Sequence, residues 1–127
     1  MKQIEKGLEY ASKTIVTDKI TAREMGSGDM PVLATPAMVA LMENAAMMAV
    51  AGMLDEGETT VGSMVNTTHL RPSAVGAEIS AKATLIDVDG RKLTYHVIAM
   101  DGDNVIGEGE HIRFIVDRDR FMKKIKL

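Results

Sequence analysis

Apolar and polar positions alternate through most of the second half of the chain. Between Gly76 and Val88, Ala77, Ile79, Ala81, Ala83 and Leu85 fall on one face, and Glu78, Ser80, Lys82 and Thr84 on the other. That period of two predicts a half-buried strand. Asp89-Gly90 is a strong hairpin signal. The alternation resumes from Arg91 to Met100, with Leu93, Tyr95, Val97 and Ala99 on one side. Asp101 to Asn104 reads as the next turn and Val105 to Val116 as a further long strand. Upstream, Thr59 to Arg71 predicts another strand, stopped by Pro72. Leu8 to Ala22 is β-rich, Met25 to Met30 carries two glycines and reads as a loop, and Pro31 to Ala34 suits a short strand. Asp117 to Lys126 reads as a short amphipathic helix or a mobile end.

Ala37 to Leu54 breaks the period of two. Thr35-Pro36 is a helix start, with threonine as an N-cap and proline at the first helical position, where it forfeits no hydrogen bond. Before Gly52 the only polar side chains in this segment are Glu43 and Asn44. A helix apolar on nearly every side must be buried nearly all round. One flat sheet covers one side only, so the pattern calls for a sheet that curves round the helix, completed by a second copy of the chain. The expected architecture is α+β: a hotdog fold, an antiparallel sheet wrapped around one long helix, as a single domain over residues 1–127.

Length and composition agree with this and remove several function classes. The 127 residues are 46% hydrophobic and 26% charged, suited to one globular core. There is no cysteine, which excludes disulfides, a thiol nucleophile and cysteine–zinc sites, and fits a cytoplasmic location. The longest apolar run, Ala45 to Leu54, is about half the roughly 20 residues of a membrane span. The first ten residues lack the apolar core of a signal peptide. With a net charge of -3, interleaved charges and four Phe and Tyr residues in all, the chain has no basic, aromatic-rich surface for nucleic acid. Neither nucleic acid nor membrane is an expected partner.

Glu43 is the most informative side chain. A carboxylate in an apolar helix either marks a local end of burial or serves as a general base or an orienter of histidine. Thr35 is explained by capping alone, yet the helix N-terminus behind it would offer the Ala37 and Met38 amides to a developing oxyanion. Alternation places His69, at the end of its strand, on the face of Val65 and Thr67; a lone strand histidine also suits a structural role. His96 shares a polar face with Lys92 and Thr94 and reads as solvent-exposed, whereas His111, between Glu110 and Arg113, is ambiguous. No histidine or carboxylate spacing suggests a metal site. Gly62, Gly107 and Gly109 lie inside strands, where glycine marks a bulge or a close approach.

The stretch Val32-Leu33-Ala34-Thr35-Pro36-Ala37-Met38-Val39-Ala40-Leu41-Met42-Glu43, followed by Gly62-Ser63-Met64-Val65-Asn66-Thr67-Thr68-His69, resembles the fluoroacetyl-CoA thioesterase-like branch of hotdog thioesterases. Asp89-Gly90-Arg91-Lys92-Leu93 and Ile106-Gly107-Glu108-Gly109-Glu110-His111-Ile112-Arg113 continue the likeness, which runs from about residue 30 onward. The resemblance implies a catalytic triad of Thr35, Glu43 and His69, a substrate-sensing glycine at Gly62, and Arg113 on the coenzyme A side. It implies hydrolysis of a short acyl-CoA to free CoA and a carboxylic acid, with no cofactor beyond the CoA of the substrate. Two departures argue against carrying over fluoroacetyl specificity: Met25 to Met30 holds no Phe to form a lid, and Pro36 removes a possible N–H donor.

Eight helical residues rise about 12 Å, so Thr35 and Glu43 of one chain stand too far apart to touch. The expected site is therefore composite, built at the interface of a homodimer or higher oligomer. Two mechanisms fit: attack by Thr35 with His69 as base, or water activated by Glu43 or His69. Rival functions are a non-catalytic acyl-CoA or acyl-carrier binding dimer, a hydratase or dehydratase acting on enoyl thioesters, and a purely structural dimer.

Overall fold

The computed structural model describes residues 3–125. Strand β1 (Glu9–Ile15) leads through a 3-10 turn (Asp18–Ile20) and a four-residue helix α1 (Ala22–Met25) to the long helix α2 (Thr35–Ala51). Four strands follow: β2 (Glu58–Thr67), β3 (Glu78–Asp89), β4 (Lys92–Asp101) and β5 (Asn104–Asp117), and then helix α3 (Arg118–Ile125). All pairings are antiparallel and the sheet order is β1-β3-β4-β5-β2. Helix α2 thus joins the two outermost strands, lying across the face formed by the alternating apolar residues of β3 and β4. Ile79, Ala81, Ala83, Leu85, Leu93, Tyr95, Val97 and Ala99 are all buried there against Met38, Met42, Ala45, Ala46 and Val50.

Both expected hairpins form, the first with its loop one residue later than Asp89-Gly90 and the second over Asp101 to Asn104 as expected. Asp89 pairs with Lys92 and Asp101 with Asn104, so the two-residue loops are Gly90-Arg91 and Gly102-Asp103. Gly90 and Gly102 have φ of 60° and 59°. Glycine at the first loop position meets the backbone demand of a type II′ turn, whose twist matches the flanking strands.

Other expectations need correction. The β-rich segment Leu8 to Ala22 forms a strand only to Ile15; Thr21 then caps α1, accepting from the Glu24 amide at 3.3 Å, so part of the expected Met25 to Met30 loop is helix end. The strand expected over Thr59 to Arg71 ends at Thr67, which leaves His69 in the following loop. Helix α2 stops at Ala51, before the expected Leu54. Thr35 is not the N-cap: Ala34 occupies that position, its amide held by the Ile20 carbonyl at 2.9 Å, and Thr35 is the first helical residue. Nor is α2 buried all round, because a single chain covers one stripe. Pro36, Ala40, Asn44 and Met48 remain exposed, although Asn44 accepts a 2.7 Å bond from Ser12 of β1. At the C-terminus α3 carries the expected helix to Ile125, and Lys126 lies outside the described residues.

Candidate active site

The loop that carries His69 is tied down by β5. The Thr68 amide donates to the Glu108 carbonyl at 3.1 Å and the Leu70 amide to the Ile106 carbonyl at 2.6 Å. This approach requires glycine. A Cβ at Gly107 would strike the Thr68 carbonyl oxygen and come within 2.8 Å of Met38 Sδ, and one at Gly109 would strike the Asn66 carbonyl. The missing side chains let the backbone of residues 66–68 pass close over β5 and deliver His69 to the start of α2.

There Thr35 Oγ1 and His69 Nδ1 lie 2.7 Å apart. Burial holds the imidazole pKa below the ordinary histidine value, partly offset by the Arg71 backbone. His69 Nε2 is buried without a hydrogen-bond partner among the described residues. A cleft of about 260 Å³ opens beside the pair, lined by Ala22, Ser27, Val32, Leu33, Leu70 and Arg71 among others. A larger cavity of about 530 Å³ lies by Met53, past the far end of α2, but no hydroxyl–imidazole pair lines it, which leaves the smaller cleft as the candidate site.

Ala37 and Met38 do not supply free oxyanion donors, because both amides donate to the Ala34 carbonyl, at 3.0 and 3.1 Å. Met38 is in addition fully buried. Since proline has no N–H, the Thr35 amide is the donor of this turn left without an acceptor among the described residues.

Glu43 belongs to a second cluster. Its Oε2 lies 3.8 Å from Arg113 Nη1, and its side chain is 40% exposed. Gly62 sits directly over it: an added Cβ would stand 2.8 Å from Glu43 Oε2, 3.3 Å from His111 Cε1 and 3.4 Å from Arg113 Nη1. Arg113, which the resemblance puts on the coenzyme A side, is tied to β2 in this chain. Its guanidinium is buried, with Nε donating to Thr60 Oγ1 and Nη2 to the Thr60 carbonyl, both at 2.9 Å. Burial lowers its pKa, opposed by Tyr95 and Glu43, yet it stays cationic.

His111 is fully buried; its Nδ1 lies 2.8 Å from the Met64 carbonyl and its Nε2 3.2 Å from Arg113 Nη1. Burial first, and then Arg113, push its pKa down, against the Met64 carbonyl and Glu43. Tyr95 stacks on it with centroids 6.1 Å apart. Burial raises the Tyr95 phenol to about 12, partly offset by Arg113, and its hydroxyl has no partner among the described residues. His96 is a surface residue as expected, bonded to Glu108 at 2.7 Å.

Thr60, Tyr95 and His111 are the site residues that sequence reasoning missed. For His111 a signal existed. In Gly107-Glu108-Gly109-Glu110-His111-Ile112-Arg113, alternation puts the two carboxylates on one face and His111 and Arg113 on the other, with the glycines. No hydrogen bond or ion pair among the described residues joins the Thr35–His69 pair to the Glu43–Arg113 cluster. Among the described residues no group of three or more His, Asp or Glu side chains suits a metal ion.

Comparison with known proteins bears on this arrangement. The family described as fluoroacetyl-CoA-specific thioesterase matches residues 16–119. The fluoroacetyl-CoA thioesterase of Streptantibioticus cattleyicolor is 37% identical over 95 residues, 75% of this chain and 68% of that protein. The solved structure of the fluoroacetyl-CoA thioesterase FlK superposes with a TM-score of 0.90 at 31% identity, covering 97% of this chain and 96% of that one. A Thermus thermophilus thioesterase superfamily member superposes with a TM-score of 0.89 at 29% identity, over 98% of this chain and 92% of its own.

Proposed function

Because the chain belongs to the fluoroacetyl-CoA-specific thioesterase family and is a thioesterase of hotdog fold, we propose that it hydrolyses a short acyl-CoA at a dimer interface. Thr35 and His69 come from one subunit and Glu43 from the other. The observation that carries this reading is the 2.7 Å contact between Thr35 Oγ1 and His69 Nδ1 at a helix N-terminus, beside a cleft.

The roles follow from the hydrogen positions. Nδ1 lies 2.7 Å from Thr35 Oγ1, and a hydroxyl that serves as nucleophile must donate to that nitrogen. Nε2 therefore carries the hydrogen, an assignment from the network, and Nδ1 accepts the Thr35 proton. A lowered pKa keeps His69 neutral and able to act as base at neutral pH. Thr35 Oγ1 attacks the thioester carbonyl, His69 takes the hydroxyl proton, and the Thr35 amide is placed to receive the oxyanion. Collapse expels CoA as the thiol, protonated from His69. Water then attacks the acyl-threonine carbonyl and passes a proton to the Glu43 carboxylate. The Thr35 Oγ1–acyl bond breaks, His69 having taken up a proton from solvent to return to Oγ1. The carboxylic acid leaves, with the proton from Glu43 released to solvent.

Glu43 fits the water step better than the orientation of His69. The Nε2 it would have to reach is enclosed by its own chain, while the Glu43 carboxylate is half exposed on the open face of α2. The same face supports the proposed dimer: Ala40 and Met48 are exposed there, on a helix whose two half-sites lie about 12 Å apart along its axis.

A screen of short acyl-CoA esters, read by free thiol release and paired with sedimentation analysis, tests the reading. Thr35→Ala and Glu43→Gln are each expected to lower kcat by about a hundredfold or more, and mass spectrometry to detect acyl-Thr35. Full hydrolysis by Thr35→Ala rejects the nucleophile, and binding without turnover across the screen favours a non-catalytic acyl-CoA dimer.

A further inference from the structure

Beneath Glu43 and Gly62 lies a buried polar group that the hydrolysis does not consume. Arginine has donors only, so the 3.2 Å contact from Arg113 Nη1 makes His111 Nε2 an acceptor, and the hydrogen must sit on Nδ1, facing the Met64 carbonyl. Both ring nitrogens are thereby committed, and only the neutral form satisfies both. Protonation would set an imidazolium N–H against a guanidinium N–H with water excluded. The charged and titratable groups that act on this ring are Arg113, Glu43 and the Tyr95 phenol stacked on it.

The two bonds hold two different parts of the site. Gly62 pairs with Arg113 and Met64 with Ile112, so Ser63 is an extra residue and β2 is bulged at this point. His111 pins the bulge from its Met64 side. On its other side it holds Nη1 of Arg113, whose remaining bonds go to Thr60. With Thr60 and His111 both engaged, Nη1 is left 3.8 Å from Glu43 Oε2, directly under Gly62.

We propose that His111, as its neutral Nδ1–H tautomer, is a positioning residue for the hydrolysis: it sets the Arg113 guanidinium and the Gly62 bulge against Glu43. It touches no substrate and acts through its two neighbours. The inference rests on the reading that Glu43 takes part in turnover. A buried histidine satisfied for stability alone would have no reason to act through Glu43.

Kinetics with acetyl-CoA separate the two roles. His111→Phe, which removes both bonds, is expected to lower kcat at least about tenfold while KM stays within about threefold. His111→Gln retains a donor and an acceptor without titrating and is expected to recover to within about threefold of wild type. In a Glu43→Gln background, His111→Phe is expected to cost nothing further, because the effect passes through that carboxylate. Unchanged kcat in His111→Phe, or a full further loss in the Glu43→Gln background, overturns the proposal. Nitrogen NMR gives a readout that does not depend on turnover, since the chain has three histidines. His111 is expected as the Nδ1–H form below pH 6.5, with Arg113→Lys raising its titration; the opposite tautomer overturns the proposal even if His111→Phe fails to fold. A wild type inert to every acyl-CoA while His111 shows the expected tautomer would count against the thioesterase site and not against the His111–Arg113 coupling.

Discussion

Replacing Gly62 by alanine is expected to separate activity from stability. The new methyl would stand 2.8 Å from Glu43 Oε2, with His111 Cε1 at 3.3 Å and Arg113 Nη1 at 3.4 Å. The tightest neighbour is the end of a flexible side chain that is 40% exposed, so it is the group that yields. Restoring ordinary contact moves the carboxylate by roughly 0.6 Å, and misplacing a catalytic group by about 1 Å costs on the order of a hundredfold. Roughly a tenfold fall in kcat follows, or about 1.4 kcal/mol of lost transition-state stabilisation. Stability is expected to move the other way or not at all. Gly62 does not have a positive φ, so alanine restricts the unfolded chain at little folded-state cost, a gain of at most about 1 kcal/mol. The assays are urea unfolding and thiol release on the same preparation. Unchanged kcat in a folded variant would show that the position of Glu43 does not limit the reaction, and a loss of activity matched by a loss of stability would refute the separation.

Gly107→Ala is expected to do what Gly62→Ala does not. Its methyl meets a backbone carbonyl, that of Thr68, which cannot swing away, so unfolding measurements should show a loss of about 1–3 kcal/mol, along with reduced turnover as the His69 loop lifts. Stability should also fall in acid. His69 and His111 have folded pKa values below the unfolded 6.5, so their contribution is complete above pH 6.5 and is lost as pH drops through the folded values; a flat profile from pH 7 to 4.5 in His69→Gln with His111→Gln would confirm the source. At the alkaline end Tyr95 has the opposite sign. Its stabilisation is complete below pH 10 and declines towards about 12, and Tyr95→Phe should remove that decline. The same variant should be neutral or stabilising at pH 7 by denaturant titration, because the hydroxyl it deletes is buried without a partner among the described residues.

The regular elements were legible because their periods are local. Alternation in β3 and β4 named every inward residue from Ile79 to Leu85 and from Leu93 to Ala99, and turn chemistry located both hairpins to within a residue. Thr35 shows where local rules fail. Its capping propensity is real, but the chain entering α2 is already held by the Ile20 and Ser73 carbonyls, and the hydroxyl goes to His69 instead. A bond spanning 34 residues outweighs a preference spanning three. The Ala37 and Met38 amides failed as donors for a related reason, since the buried Ala34 carbonyl claims both. The role given to Arg113 came from resemblance, whereas its partners within the chain could not be read from local pattern. Burial and the two bonds to Thr60 fix its guanidinium.

Distance along α2 also has a genetic consequence. Under the composite site proposed above, a polypeptide with Thr35 at one end of a helix and Glu43 half-way along it would supply each to a different catalytic centre. Two lesions that each abolish turnover need not abolish it together. Co-refolding Thr35→Ala with Glu43→Gln protein should yield mixed pairs holding one intact centre and one doubly damaged one, so about a quarter of wild-type turnover should return from two dead parents if subunits assort at random.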